Sequence, residues 1–95
     1  MDAIVIAALY QFKVVLDAAA LQTALKTLCK EQGILGTLIV APEGINGTVS
    51  GSRAAIDCLH HYLLSVGFDH MEYKESFAPE HTFKRLKIKL KKEIV

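Results

Sequence analysis

Hydrophobic residues change their spacing along the first third of the chain. From Ile4 to Phe12 the residues are rich in β-branched and aromatic types and are continuously apolar at the start. Such a run is typical of a strand that is buried on at least one face. Leucines then recur at positions 21, 25 and 28, between a potential N-cap, Asp17, and a helix-ending Gly33. The pattern predicts a strand followed by an amphipathic helix.

The order of strand and helix recurs in the middle of the chain, now with two strands before the helix. Leu35 to Ala41 is predicted to be a second strand, and Asn46 to Ser50 a third. Ser52 is then the expected N-cap of a second helix that Gly67 ends. Its apolar stripe consists of Ile56, Leu59, Leu63 and Val66.

The last third of the chain predicts strands. A short strand is a candidate around Met71 to Lys74, and the segment Ala78 to His81 is a predicted turn. Phe83 to Leu90 is the last predicted strand, in which apolar residues alternate with lysines. This period of two indicates a sheet with one face on the core and one face in water.

The order of elements is therefore β-α-β-β-α-β, and the candidate strand around Met71 to Lys74 would be one additional strand. Two helices on one face of an antiparallel-rich sheet define an α+β, ferredoxin-like fold. The crossover rule favours strands one and three as neighbours.

Composition limits the class of protein. Ninety-five residues, 52% hydrophobic and 22% charged, fit one globular domain covering residues 1–95. No apolar stretch reaches the roughly 18 residues that span a membrane. Cys29 and Cys58 lie in predicted helices without a secretion signal, which favours reduced, buried thiols. We expect a cytoplasmic protein without membrane contact.

A glycine-rich turn is the first candidate site. It follows Pro42 and contains Glu43, Gly44, Ile45, Asn46, Gly47 and Thr48. In one interpretation these residues contact a nucleotide or a partner domain, since freed backbone N–H groups bind phosphate oxygens. In the other, the polar side chains bond within their own loop.

A basic stretch near the end of the chain is the second candidate. Although the net charge is only +1, six of the eleven basic residues fall within nine positions: Lys84, Arg85, Lys87, Lys89, Lys91 and Lys92. An extended row of lysines can follow a phosphate backbone. It can equally be a solvated face that protects an edge strand from aggregation. We identify no aromatic residue on the lysine face, so base stacking is not predicted.

The sequence predicts no metal site, catalytic residue or cofactor. Cys58 and His61 share a helical face, but a structural zinc site needs further ligands in recognisable pairs. Both cysteines lie inside predicted helices, away from the helix N-termini that activate thiols.

The segment Pro42 to Thr48, which reads Pro-Glu-Gly-Ile-Asn-Gly-Thr, resembles the signature of the rhodanese-domain tRNA uridine hydroxylases. The ending from Lys87 to Val95 is similar to the junction between the two domains of that family. The resemblance implies an acylphosphatase-like N-terminal domain, with a rhodanese domain that carries the catalytic cysteine absent from this chain. The implied role is non-catalytic assistance to oxygen-dependent 5-hydroxylation of wobble uridine, through tRNA binding or through docking of the rhodanese domain.

Two alternatives remain open. The chain is compatible with a stand-alone regulatory or protein-interaction module that uses the glycine-rich turn. An acylphosphatase-like hydrolase is disfavoured, because the segment Gln11 to Leu16 after the first strand has neither glycine nor arginine.

Overall fold

The chain forms two helices and five strands in a computed structural model, which describes residues 3–95. In chain order the elements are β1 (Ile4–Phe12), α1 (Ala18–Gln32), β2 (Leu35–Ala41), β3 (Gly44–Gly51), α2 (Arg53–Ser65), β4 (Glu72–Ala78) and β5 (Leu86–Leu90). The predicted bounds of β1 and β2 are confirmed. β3 begins two residues earlier than predicted, because pairing with β1 continues through Gly44.

The strands lie in the order β4-β1-β3-β2-β5. The first four pair antiparallel, and β5 runs parallel to β2 at the opposite edge. This arrangement confirms the ferredoxin-like prediction, including the adjacency of strands one and three. The roles of the last two strands are exchanged, however: β4 completes the β-α-β-β-α-β unit, and β5 is the addition. The prediction of a strand from Phe83 was too long, since β5 begins at Leu86.

Both helices begin at the predicted caps. Asp17 Oδ1 accepts a hydrogen bond of 3.0 Å from the Ala20 N–H, and Ser52 Oγ accepts one of 3.1 Å from the Ala55 N–H. Gly33, at φ 70°, ends α1 in the left-handed conformation that glycine adopts without strain.

The core lies between the helices and one face of the sheet. α1 packs over β2 and β5, and α2 packs over β1 and β3. Leu25, Leu63 and Cys29 are buried completely there. Val66, predicted in the apolar stripe of α2, is 39% exposed because the helix ends before it.

Two segments reach the opposite side of the sheet, which we call the outer face, at His81 and at Ile94. Residues 79–85, the first strap, connect the edge strands β4 and β5, and within them His81 Nδ1 lies 2.8 Å from Ser50 Oγ. Residues 91–95, the second strap, follow β5 and include a hydrogen bond from the Lys91 N–H to the Val40 carbonyl. The central part of the outer face lies between these straps.

Candidate functional site

The predicted glycine-rich turn is mostly strand. Only Pro42 and Glu43 form the turn, and β3 begins at Gly44. A Cβ atom on Gly44 would collide with the carbonyl oxygen of Gln11 on β1. Glycine is therefore required at this position by the close approach of two paired strands, not by loop flexibility.

The polar side chains of this segment hold the second strap. Glu43 Oε1 accepts a hydrogen bond of 2.7 Å from the Ile94 N–H, and Asn46 Nδ2 donates one of 2.9 Å to the Ile94 carbonyl. Ile94 is 1% exposed. The two residues thus bind both backbone polar groups of a residue distant in sequence, rather than groups of their own loop. A contact with RNA or with a second domain stays a prediction.

Register brings the basic stretch and the β3 residues onto the same surface. Lys87 pairs with Thr37, Thr37 with Thr48, Thr48 with Ala8, and Ala8 with Lys74. This sequence of pairs forms one row across the outer face, which we call the central row. The next row, given from β4 to β5, contains Glu72, Tyr10, Asn46, Ile39 and Lys89.

A hollow of about 370 Å³ lies over the β4, β1 and β3 part of these rows. Its lining includes Ala8, Tyr10, Asn46, Thr48, Glu72 and Lys74. Tyr10 is 40% exposed, and its ring meets that of Phe12 edge-on with a centroid separation of 5.9 Å. An aromatic residue therefore shares the lysine-bearing face, contrary to our interpretation of the sequence. Val5, Ala7 and Leu9 are buried on the helix side of β1, so that Tyr10, at the opposite parity, lies on the outer face.

The six basic residues of the predicted stretch divide among three elements. Lys87 and Lys89 lie on β5, on the opposite side from buried Ile88. Lys84 and Arg85 belong to the first strap, and Lys91 and Lys92 to the second. All six are exposed.

A charged network on the helix side joins α2 to β4. Arg53 donates to both carboxylate oxygens of Glu75, at 2.9 and 2.6 Å, and the Tyr73 hydroxyl donates to the same carboxylate at 2.7 Å. The hydrogen bonds from Arg53, then that from Tyr73, lower the pKa of Glu75 to about 2. Burial raises the pKa of Tyr73, and its bond to Glu75 adds to this shift. The ring of His60 stacks on Tyr73 at 4.4 Å. The network fixes the edge strand β4 to the body of the domain.

The segment after β1 does not form a phosphate cradle. Its Lys13 and Val15 N–H groups donate to the carbonyls of Glu43 and Pro42. Both amides therefore already donate hydrogen bonds within the protein. An acylphosphatase needs its loop donors to bind the phosphate, and this arrangement argues against such a site.

The thiols differ in environment. Cys29 is completely buried, and burial raises its pKa to about 12, which keeps it protonated and unreactive. Cys58 is only half-buried, contrary to our expectation of a core position.

Within residues 3–95, no group of three or more histidine, cysteine and carboxylate side chains is arranged to hold a metal ion. In the same range, neither helix has the length and apolarity to cross a membrane.

Comparisons with known proteins agree with this architecture. The family model described as the UPF0176 acylphosphatase like domain matches residues 4–94. The tRNA uridine(34) hydroxylase of Acinetobacter baumannii is 60% identical over 91 residues, which is 96% of this chain and 29% of that protein. The protein of the same name from Deinococcus radiodurans is 60% identical over 90 residues, 95% of this chain and 30% of its own length.

A more distant relative shows the same coverage. The tRNA uridine(34) hydroxylase of Roseobacter denitrificans is 48% identical over 92 residues, which is 96% of this chain and 31% of that protein. The chain thus spans about three-tenths of the length of these curated relatives. The family match covers almost every described residue. The chain therefore belongs to the UPF0176 acylphosphatase-like domain family.

Proposed function

We propose that this chain acts as the non-catalytic N-terminal domain of a tRNA uridine(34) hydroxylase and binds tRNA for the oxygen-dependent 5-hydroxylation of wobble uridine. The identity to proteins of that name supports the reaction class. The environments of the two thiols support a non-catalytic role, because Cys29 is buried with a raised pKa and Cys58 lies inside α2. A rhodanese domain, as the sequence resemblance implies, would supply the catalytic cysteine.

The observation that carries the tRNA proposal is the position of Lys74 and Lys87 at opposite ends of the central row. Adjacent strands lie about 4.8 Å apart, so the two lysine positions are separated by roughly 19 Å across five strands. Between them lie only small uncharged residues, Ala8, Thr48 and Thr37. A surface with positive margins and a neutral floor suits a polyanion that crosses the sheet.

Binding to tRNA can be tested by a salt series on this 95-residue chain. The double variant Lys87→Gln, Lys89→Gln removes two charges of the outer face. The matched control Lys26→Gln, Lys30→Gln removes two exposed lysines of α1 on the other side of the molecule. We expect the first variant to weaken tRNA binding and to reduce the slope of log K against log salt by about one for each phosphate that it no longer neutralises.

Two results would count against the tRNA proposal. One is an absence of tRNA binding by the unmodified chain at low salt. The other is an equal loss of affinity in both double variants, which would indicate a general charge effect without a defined face.

Docking of the rhodanese domain is a second candidate function, and the clamp on Ile94 favours it. Glu43 and Asn46 fix the backbone of the second strap on the outer face. A rhodanese domain joined to the second strap would therefore have a fixed attachment point and chain direction relative to the sheet. Co-purification of a separately expressed rhodanese domain of a relative with this chain, lost in Glu43→Ala, would support docking; unchanged recovery would argue against it.

A further inference from the structure

We infer that the hollow over β4, β1 and β3 receives an unpaired base of a single-stranded RNA segment, an inference that rests on the tRNA-binding function proposed above. The lysine rows alone account only for attraction of phosphate. The hollow also has an aromatic ring and hydrogen-bonding groups in its lining, and it is bounded by the two straps. Phosphate binding requires none of these features.

The two straps limit the hollow on both sides. Toward one end of the strands, the first strap is fastened where His81 meets the buried Ser50 hydroxyl. Toward the other end, the second strap is fastened where Asn46 binds Ile94. The central row therefore lies in a channel that runs across the strands. Ser50 and Asn46 lie four residues apart on β3, about 14 Å at the rise of a strand, so the space between the straps favours one extended RNA strand over a folded duplex.

The lining combines stacking with hydrogen bonding. Tyr10 offers an exposed ring of the kind on which bases stack in single-strand-binding proteins. The Thr48 hydroxyl both donates and accepts, and Asn46 uses its Nδ2 on Ile94, which leaves its carbonyl oxygen as an acceptor. Ala8 forms a small floor, so that a planar group can approach the sheet closely.

Charge fixes the orientation of the ligand. Glu72 lies beside Tyr10 in the second row, and its carboxylate repels phosphate at that end of the hollow. Lys74 and Lys87, at the ends of the central row, attract phosphate instead. The backbone of the RNA is therefore expected over the central row, with the base turned toward Tyr10 and Glu72. A carboxylate there suits an N–H group on the edge of a base.

The test compares an oligouridylate of about eight nucleotides with an RNA duplex of equal length and at equal salt, bound to the full chain. The variants are Tyr10→Leu, which removes the ring, and Thr48→Val, which removes the hydroxyl at nearly constant volume. Phe77→Leu is the control, since Phe77 is 65% exposed on β4 but has the register of the helix-side face. Amide chemical shifts of Ala8 and Thr48 report whether the ligand occupies the hollow.

We expect the single strand to bind more tightly than the duplex and to shift the Ala8 and Thr48 amides. Tyr10→Leu should weaken single-strand binding by about 5-fold to 150-fold, the range for loss of one stacked base. Thr48→Val should weaken it less, and Phe77→Leu should leave it unchanged.

Salt-dependent tRNA binding that is lost in Lys87→Gln, Lys89→Gln but unaffected by Tyr10→Leu would overturn the base site and leave the tRNA-binding function intact. Absence of binding to any RNA would instead overturn the proposed function itself. Equal affinity for the duplex and the single strand, with no shift at Ala8 or Thr48, would also reject the hollow as a base site.

Discussion

The Glu43 carboxylate accepts a 2.7 Å hydrogen bond from the backbone N–H of Ile94, 51 residues further along the chain. This bond joins the turn between β2 and β3 to the second strap. Because Asn46 binds the carbonyl of the same residue, both backbone polar groups of buried Ile94 are satisfied. The turn segment and the last residues of the chain therefore form one structural unit on the outer face.

Replacement of Glu43 by alanine should release the second strap. The Ile94 N–H would lose a charged acceptor, and such bonds contribute about 1.5–3 kcal/mol to stability. We expect a loss of about 2 kcal/mol in the free energy of unfolding, measured by urea denaturation. The Ile94 amide should also exchange with solvent much faster than the amides of β3.

The variant Glu31→Ala is the matched control, because Glu31 is an exposed carboxylate near the end of α1. It should change the free energy of unfolding by less than about 0.5 kcal/mol. Equal stability of the Glu43 and Glu31 variants, with Ile94 still protected from exchange, would show that the clamp contributes nothing.

Local patterns were sufficient to predict the elements and most of their ends. The apolar, β-branched run of β1, the leucine spacing in α1 and the caps Asp17 and Ser52 act within a few residues, and each is found where it was predicted. The fold class follows from their order, since two amphipathic helices have one sheet face to cover.

Long-range partners were not accessible from the sequence. Nothing local to Glu43 indicates a partner at Ile94, because the contact depends on where the second strap returns across the sheet. The exchange of roles between β4 and β5 has a similar cause: β4 is an exposed edge strand with three charged residues, so its pattern is weak. The place of Tyr10 beside the lysines depends on the register of five strands.

Alanine at Gly44 should destabilise the pairing of β1 and β3. The added Cβ would meet the carbonyl of Gln11, a backbone group that cannot move without separating the strands. We expect a loss of about 3 kcal/mol or more in the free energy of unfolding. Urea denaturation, with the backbone amide shifts of β1 and β3, measures the effect.

Gly33→Ala provides the comparison. Gly33 also has a positive φ, but a Cβ there meets open space, so its cost should be about 1 kcal/mol from backbone strain alone. If both alanine variants were destabilised by the same amount, the close approach at Gly44 would have no special energetic weight.

The ion pair of Arg53 with Glu75 should make the stability of the domain fall in acid. The pKa of Glu75 is about 2 in the folded chain and 4.5 ordinarily, so the unfolded chain binds the proton more readily. The stabilisation is therefore complete above pH 4.5 and is lost as the pH falls from about 4.5 to about 2.

The melting temperature of the native chain should decline through this window more steeply than that of Glu75→Gln. Near pH 6 we expect the variant to melt roughly 5 °C lower, since Arg53 is half exposed and water screens the pair. Asp69→Asn is the control, because the hydrogen bond from His70 also lowers the pKa of Asp69, but this pair joins adjacent residues at the surface. Parallel acid transitions of the native chain and Glu75→Gln would show that this network does not govern the pH dependence.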